Sequence, residues 1–418
     1  MKTNYPNSGR YAPRATTIFR RLLGICKVFV IAVGVEDGAL VLSVRPTWRK
    51  PRCGECGSCG PGYDRKAARR WRSLNFGPVR VLLEYSPRRV SCPTCNRVVT
   101  ELVPWAAHGS TFTYAFEELT AYLAQVTDKT SVTEVMGINW RTARNIIRRV
   151  VARHRAGGDL GTPRRIGIDE FSYRRFHHYL TVVVDHDTRR VIWAGEGRSA
   201  DSLTGFFEEL GAERCAAIEQ VTMDFAGGYQ KAVRDRLPQA EVVFDRFHVQ
   251  RLASDALDEV RRAMVRKLTG SDQAAAVKRT RWALLRNPWA LTFEDKLRLR
   301  QVEKQCQPLY RAYLLKETLA RALDYYQPKR AREALDQWLA WASRSRLQPF
   351  VRIARTIRKH KRGILAYVRS RLTNGVVEGI NNRLRVIARR AYGFHSWRAL
   401  AAMLFLCCGG ITLSPPVP

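Results

Sequence analysis

Two cysteine pairs, Cys53-Gly-Glu-Cys56 and Cys92-Pro-Thr-Cys95, constrain this chain more than any other feature. Each pair is a tight knuckle, and the inner cysteines stand 36 residues apart (92 − 56). Four thiolates satisfy tetrahedral Zn²⁺, and two knuckles bring the sulfurs together without a large core. The segment between them must therefore fold back on itself. Cys59 is a spare thiol that could replace Cys56 in the set. Cys26, Cys215, Cys306, Cys407 and Cys408 are scattered, which argues against a secreted disulfide framework and for the reducing cytoplasm. A zinc ion closed in by four thiolates has no open position for chemistry, so the expected role is structural.

The chain has 418 residues, enough for two or three domains. Its 72 Lys and Arg face 37 Asp and Glu, a formal net charge of +35. Repulsion on that scale is ordinarily tolerated because an anionic partner neutralises it, and nucleic acid is the commonest such partner. A membrane surface or the ribosome would account for the charge alone, but neither needs the acidic residues described below. Two apolar runs do not point to a membrane. Leu22–Val35 is interrupted by Lys27 and passes through Glu36-Asp37-Gly38 into a second alternating stretch, Leu40–Val44, as a β-hairpin does. Ala399–Leu413 falls short of the roughly 20 residues that a spanning helix needs. It reads as a buried helix ending near Gly409-Gly410.

The first twenty or so residues are polar and basic and are expected to be loose. Helical periodicity runs from Phe116 to Val151, and Gly157-Gly158 with Gly161-Thr162-Pro163 marks a linker. Ser131-Val-Thr-Glu134 has the form of a capping box, Gly137 can supply a tight turn, and Asn139 is a good N-cap. The next helix carries Trp140, Arg141, Arg144, Asn145, Arg148 and Arg149. A short helix, a glycine turn and an arginine-rich second helix have the shape of a DNA-reading helix-turn-helix. A plain αα-hairpin with a solvated basic face has the same pattern, and the charge favours the first reading.

After the linker, strands are expected at Arg165–Asp169, Tyr179–Asp185 and Val191–Glu196, then a helix at Asp201–Leu210. A strand at Ala217–Met223, a helix at Gly227–Leu237 and a strand at Glu241–Phe244 follow. From Val249 to about Arg371 there is almost no strand signal, and Trp282, Trp289, Trp338 and Trp341 read as core anchors among helices. In this order the first and fourth strands are expected to lie side by side and parallel. Asp169, ending the first, and Asp224, ending the fourth, would then reach the same metal ions. Asp245 and His248 follow the last strand to that edge, whereas Asp185 and Asp187 read as turn formers. Glu378 is a lone acid in a basic helical region, with Asn381, Asn382 and Arg385 on its face. From that helix alone, a salt bridge to a nearby arginine is the simpler reading of Glu378.

At this point the chain resembles the DDE transposases, and more narrowly the ISL-three group of bacterial insertion sequences. The matching stretches are Ile168-Asp169-Glu170-Phe171, Met223-Asp224 with Gly228-Tyr229, and Phe244-Asp245-Arg246-Phe247-His248. To these are added Asn374-Gly-Val-Val-Glu378-Gly-Ile-Asn381 and Ala391-Tyr392-Gly393-Phe394. The knuckles resemble the zinc finger of that group, and the helix-turn-helix falls between finger and core as it does there. The resemblance implies an α/β RNase H-like core with a large all-helical insertion, preceded by zinc-finger and helix-turn-helix domains. The expected segments are 1–108 (hairpin and zinc), 109–160 (helix-turn-helix), 161–248 (core), 249–371 (helical insertion) and 372–418 (core helices carrying the Glu).

It also implies that Asp169, Asp224 and Glu378 form the catalytic triad and hold Mg²⁺ or Mn²⁺, while Cys53, Cys56, Cys92 and Cys95 hold Zn²⁺. His248 is expected near DNA at the active site rather than on the metal. Trp140, Arg141, Arg144, Asn145, Arg148, Arg149 and Arg385 are the expected DNA contacts. The implied activity is that of a DNA transposase that binds the terminal inverted repeats of an insertion sequence and cuts and joins double-stranded DNA. It would act as a homodimer or higher oligomer on DNA, in the bacterial cytoplasm at the nucleoid. Two rival readings use the same residues. One is an RNase H-like nuclease or resolvase that cuts without joining; the other is a non-enzymatic DNA-binding regulator, which has no need for acids at strand ends.

Overall fold

The computed structural model of the chain describes residues 14–156, 160–174, 178–225 and 227–414. The Gly157-Gly158 linker signal lies outside them, as do the first thirteen residues of the stretch expected to be loose. Two compact units emerge: one takes in the chain up to His154 and the residues from Thr412, the other Arg155–Ile411.

In the first unit, Ala15–Leu23 (α1) is a helix rather than loose chain. Phe19 and Leu23, one turn apart, pack against the core of the sheet that follows, and Gly24 ends the helix with φ of 60°. The expected hairpin is present as Val28–Glu36 (β1) and Ala39–Pro46 (β2). Its two-residue turn, Asp37-Gly38, has both φ values positive (48° and 74°), which an Asp-Gly pair accepts. The unit continues through Gly62–Arg65 (β3), Arg69–Arg72 (β4), Val81–Tyr85 (β5), Arg88–Cys92 (β6) and Arg97–Thr100 (β7). One sheet has the order β1-β2-β5-β4, and its core includes Leu42, Leu83 and Trp71, with Trp71 edge-on to Trp105 at 5.6 Å. The other, β3-β6-β7, is antiparallel. Three helices complete the unit: Tyr114–Val126 (α2), Lys129–Met136 (α3) and Trp140–Arg155 (α4).

The second unit is built on a five-stranded sheet of order β10-β9-β8-β11-β12. Arg165–Arg174 (β8), His178–Asp185 (β9) and Arg190–Glu196 (β10) form an antiparallel meander. Ala200–Leu210 (α5) and Ala212–Ala216 (α6) lead to Gln220–Met223 (β11), and Gly227–Arg236 (α7) leads to Glu241–Phe244 (β12). As expected, β8 and β11 are parallel neighbours. One detail differs: Asp169 does not end its strand. The β8–β11 ladder stops at Gly167, opposite Thr222, while β9 pairs with β8 as far as Arg174. One edge of β8 thus opens at Asp169 while the other stays hydrogen-bonded.

Between β12 and the last two helices the described residues hold helix and no strand. They form Arg246–Lys267 (α8), Asp272–Arg279 (α9), Arg281–Leu285 (α10), Phe293–Gln305 (α11), Gln307–Asp324 (α12), Pro328–Arg344 (α13) and Gln348–Ser370 (α14). Gly375–Arg390 (α15) and Trp397–Cys408 (α16) close the unit, and α16 is buried and ends at Gly409. A single apolar cluster runs from Ile166, Ile168 and Val221 of the sheet to Leu257, Leu319, Trp338 and Phe350 of the helices. Of the four tryptophans expected as anchors, only Trp338 is in this core, donating its indole N–H to the Leu315 carbonyl at 2.8 Å. Trp282, Trp289 and Trp341 are 61%, 78% and 37% exposed. The inward positions of α10 and α13 go instead to Ala283 and Leu284, and to Leu335, Trp338 and Ala342.

Candidate active site

Alternation along β8 sends Ile166 and Ile168 into the core and Gly167 and Asp169 to the opposite face, where α15 packs. Gly167 makes that approach possible. A Cβ there would stand 2.4 Å from Val377 Cγ2 and 2.9 Å from His186 Nε2, so any side chain would push the helix away. With Val377, Ile380, Asn381 and Leu384 turned inward, Asn381 Nδ2 donates to Asp169 Oδ2 at 2.8 Å. The other oxygen, Oδ1, accepts the Glu170 N–H at 2.8 Å. Asp224 directly follows β11, and His248 lies in the first turn of α8, whose N-cap is Asp245.

Burial holds the Asp169 carboxyl above the usual carboxylate range. The Glu170 N–H and His248 oppose that shift, and the charges of Asp224 and Glu378 add to it. Burial also raises Asp245, against the pull of His248, and raises Glu170, where Asp224 adds to the effect. Asp169, Asp224, Glu378 and His248 therefore share one electrostatic neighbourhood, although four separate elements deliver them. Glu378 has no arginine partner among the described residues, so the simpler salt-bridge reading fails. Its Oε1 is buried without a hydrogen bond, as are His248 Nε2 and Asn381 Oδ1. Asn382 and Arg385 continue on the exposed stripe of α15, with the Arg385 guanidinium donating to Asn382 Oδ1 at 2.6 Å.

Two supports lie around this site. Thr222 Oγ1 donates to Asn374 Oδ1 at 2.9 Å and so must accept from His186 Nε2, 2.7 Å away. Asn374 is the N-cap of α15, so a histidine in a β-turn steadies the start of the helix that carries Glu378. Burial, aided by Arg165, pulls His186 down to about 4, which keeps the ring neutral at pH 7. Its neighbour Asp185 is the turn former expected, accepting from the Asp187 N–H at 3.0 Å and the Thr188 hydroxyl at 2.7 Å. The second support is aromatic. Phe225 and Phe244, each beside an acid (Asp224 and Asp245), stack with ring centroids 4.7 Å apart. His360 of α14 lies against both, at 5.4 and 4.9 Å.

In the first unit the four knuckle cysteines converge, with their sulfurs all within 4.8 Å of one another. Among the described residues no other three or more His, Cys, Asp or Glu have ligand atoms so close together. Cys53 Sγ and Cys95 Sγ are 3.9 Å apart, and Cys56 Sγ and Cys92 Sγ 3.4 Å. Zinc–sulfur bonds of about 2.3 Å give a tetrahedron with edges of about 3.8 Å, so the set suits Zn²⁺. Cys59 is not among the four.

A transposase family model matches residues 166–404. The helix-turn-helix domain of transposase family ISL3 matches residues 101–151, and the zinc finger of the IS204/IS1001/IS1096/IS1165 transposases matches 49–95. The chain belongs to the ISL3 family of transposases. This transposase is 40% identical to the transposase for insertion sequence element IS1557 of Mycobacterium tuberculosis, over 95% of its own length and 96% of the relative's. It is 32% identical to the transposase for insertion sequence element IS1001 of Bordetella parapertussis, over 86% and 89% of the two chains. Among its described residues no helix is long and apolar enough to cross a membrane.

Within the transposase's helix-turn-helix, α3 starts earlier than the Ser131 capping box suggests. Asp128 is the N-cap and accepts from the Thr130 and Ser131 N–H groups, which leaves Ser131 inside the first turn. Gly137 does make the turn, with φ of 56°, and Asn139 caps α4 by accepting the Thr142 N–H at 2.8 Å. Arg141, Asn145 and Arg148 form an exposed stripe on α4. Trp140 and Arg144 are half-buried, with Lys129 over the Trp140 ring at 5.8 Å. Arg149 is engaged elsewhere: it and Arg153 clamp the fully buried carboxylate of Glu117, at 2.7 and 3.1 Å. Sequence reasoning set Asn381 on the face of Glu378 without giving it a role, and passed over His186 and this clamp. Only Asn381 carried a signal, being three residues beyond Glu378 on one helix.

Proposed function

We propose that the second unit is an RNase H-like core with a helical insertion, and that Asp169, Asp224 and Glu378 are its catalytic triad. The observation that carries this reading is the Asn381–Asp169 hydrogen bond, which ties the helix bearing Glu378 to the strand bearing Asp169. The chemistry of the donor set suits hard divalent cations, although its ligand atoms are not gathered as closely as the four cysteine sulfurs. It is rich in carboxylate oxygen, and Glu378 Oε1, His248 Nε2 and Asn381 Oδ1 are buried polar atoms lacking a partner. Each such atom costs about 1–3 kcal/mol if left unsatisfied. Asp169, Asp224 and Glu378 would hold the Mg²⁺ or Mn²⁺ ions that activate an attacking oxygen and stabilise a leaving one. His248 Nε2 would bond a phosphate oxygen or water of the bound DNA. The exposed stripe of α4 reads the transposon ends, Arg385 meets phosphate, and the cysteine tetrad holds one structural Zn²⁺.

Hydrolysis at a transposon end and attack of the freed 3′-hydroxyl on target DNA use the same carboxylates, so one substitution should affect both. Asp169→Asn, Asp224→Asn and Glu378→Gln each remove a charge and keep the volume. The expected result is end binding close to wild type, with cleavage and strand transfer falling together by at least 10³-fold, on the order of the loss when a member of a catalytic set is removed. The check is a labelled transposon end incubated with Mg²⁺ or Mn²⁺, with binding followed in parallel. Full activity in all three variants would sink the triad. Cleavage without strand transfer in the wild-type protein would favour a nuclease or resolvase.

A further inference from the structure

Asn381 is a neutral amide set among acids. Its side chain is buried beside Asp169, while Glu378 occupies the same turn of α15 and Asp224 and Glu170 lie close by. Each oxygen of a carboxylate offers two lone-pair positions. On Asp169, Oδ1 gives one to the Glu170 N–H and Oδ2 gives one to Asn381 Nδ2. One position is left on each oxygen, and the carboxylate is pinned at both ends. Without Asn381 only the N–H of the adjacent residue would hold it, and that N–H moves with the same strand. Asn381 therefore fixes the angle at which Asp169 faces Asp224 and Glu378. The other half of the amide, Oδ1, is buried and makes no hydrogen bond. An aspartate here would repel Asp169, and an aliphatic residue would offer nothing, whereas an amide supplies a donor to one side and an acceptor to the other.

We propose that Asn381 is a positioning residue for the transposition chemistry: Nδ2 fixes the Asp169 carboxylate, and Oδ1 accepts a hydrogen bond from the water shell of the ion that Asp169 holds. The proposal rests on the triad reading and adds a residue to it. Groups that orient metal ligands typically change metal affinity or activity 10- to 100-fold when removed.

The test uses the full-length protein. Asn381→Ala removes both hydrogen bonds, and Asn381→Leu removes them while keeping the volume. Mn²⁺ binding is measured directly, by loss of the free-ion electron paramagnetic resonance signal. Melting temperature, binding to the transposon end and cleavage at saturating Mn²⁺ are followed alongside. The expected result is a Kd for Mn²⁺ raised about tenfold and cleavage reduced about tenfold or more, with end binding unchanged and a cooperative melt retained. If Asn381→Ala does not fold, Asn381→Leu decides. Wild-type Mn²⁺ binding in the folded variants would overturn the proposal, whatever the rate. Failure of both variants to fold would also overturn it, reducing Asn381 to a structural partner of Asp169. Asp169→Asn is run in parallel. If it is inactive and the Asn381 variants are normal, only this proposal falls; if it is fully active, the triad reading falls.

Discussion

A histidine that donates from Nε2 to Thr222 can take up a second proton only by charging a buried ring. The unfolded chain has no such constraint, so His186 titrates near the ordinary value of 6.5 when unfolded and at about 4 when folded. A base whose folded value is depressed contributes stability above the unfolded value and loses it as pH falls through the folded one. Between pH 7 and pH 4.5 the loss from this one ring is about 2–3 kcal/mol. His186→Gln keeps an N–H donor for Thr222 and removes the titration. The fall in urea-unfolding stability between those two pH values should therefore shrink by about that amount. An unchanged fall would show that the ring is not held neutral. Asp169 and Asp224 drew attention in the sequence because acids at strand ends are few in a strongly basic chain, whereas Glu378 was singled out only by the family resemblance. His186 left no local signal, and the spacing that put Asn381 on the face of Glu378 did not record its partner, since the two residues bond to groups 36 and 212 residues away.

Along an element, the hydrogen-bonding state of each arginine decides what it can do, and periodicity does not report that state. On α4 the sequence shows a run of basic residues; the fold divides them between an exposed stripe and a clamp on Glu117. Removing one partner of a buried charge leaves that charge undercompensated. Arg149→Ala should cost roughly 2–3 kcal/mol of stability in chemical unfolding. Arg148→Ala should leave stability within about 0.5 kcal/mol and weaken binding to transposon-end DNA, read by fluorescence anisotropy. The reverse pattern would return Arg149 to the DNA-reading face. The hairpin and the helix boundary at Gly137 were readable because Asp-Gly and glycine relieve a specific backbone strain at those points. The start of α3 was not, because Asp128 and Ser131 both have a side chain that can cap, and only the three-dimensional turn selects between them.

Across the whole molecule, alternation and helical period were enough to expect a sheet with β8 beside β11 and then a long helical stretch. They did not reveal that one apolar cluster holds residues from both the sheet and the helical stretch, since a contact between Phe244 and His360 leaves no trace in either local pattern. Gly363, one turn beyond His360, has a hypothetical Cβ only 2.5 Å from Phe244 Cδ2, so α14 sits directly against the strand that leads to Asp245. This has a bearing on miniaturisation. An engineer trimming the enzyme would be tempted to excise residues 249–371 and bridge the gap with glycine and serine. That product would lack the ring that wedges Phe225 against Phe244, and the stubs of both strands beside the acids would meet solvent. We expect such a shortened protein to melt without a cooperative transition. A sharp melt with retained cleavage would mean that the helices are cargo; otherwise they are the keystone of an arch whose two feet are Asp224 and Asp245.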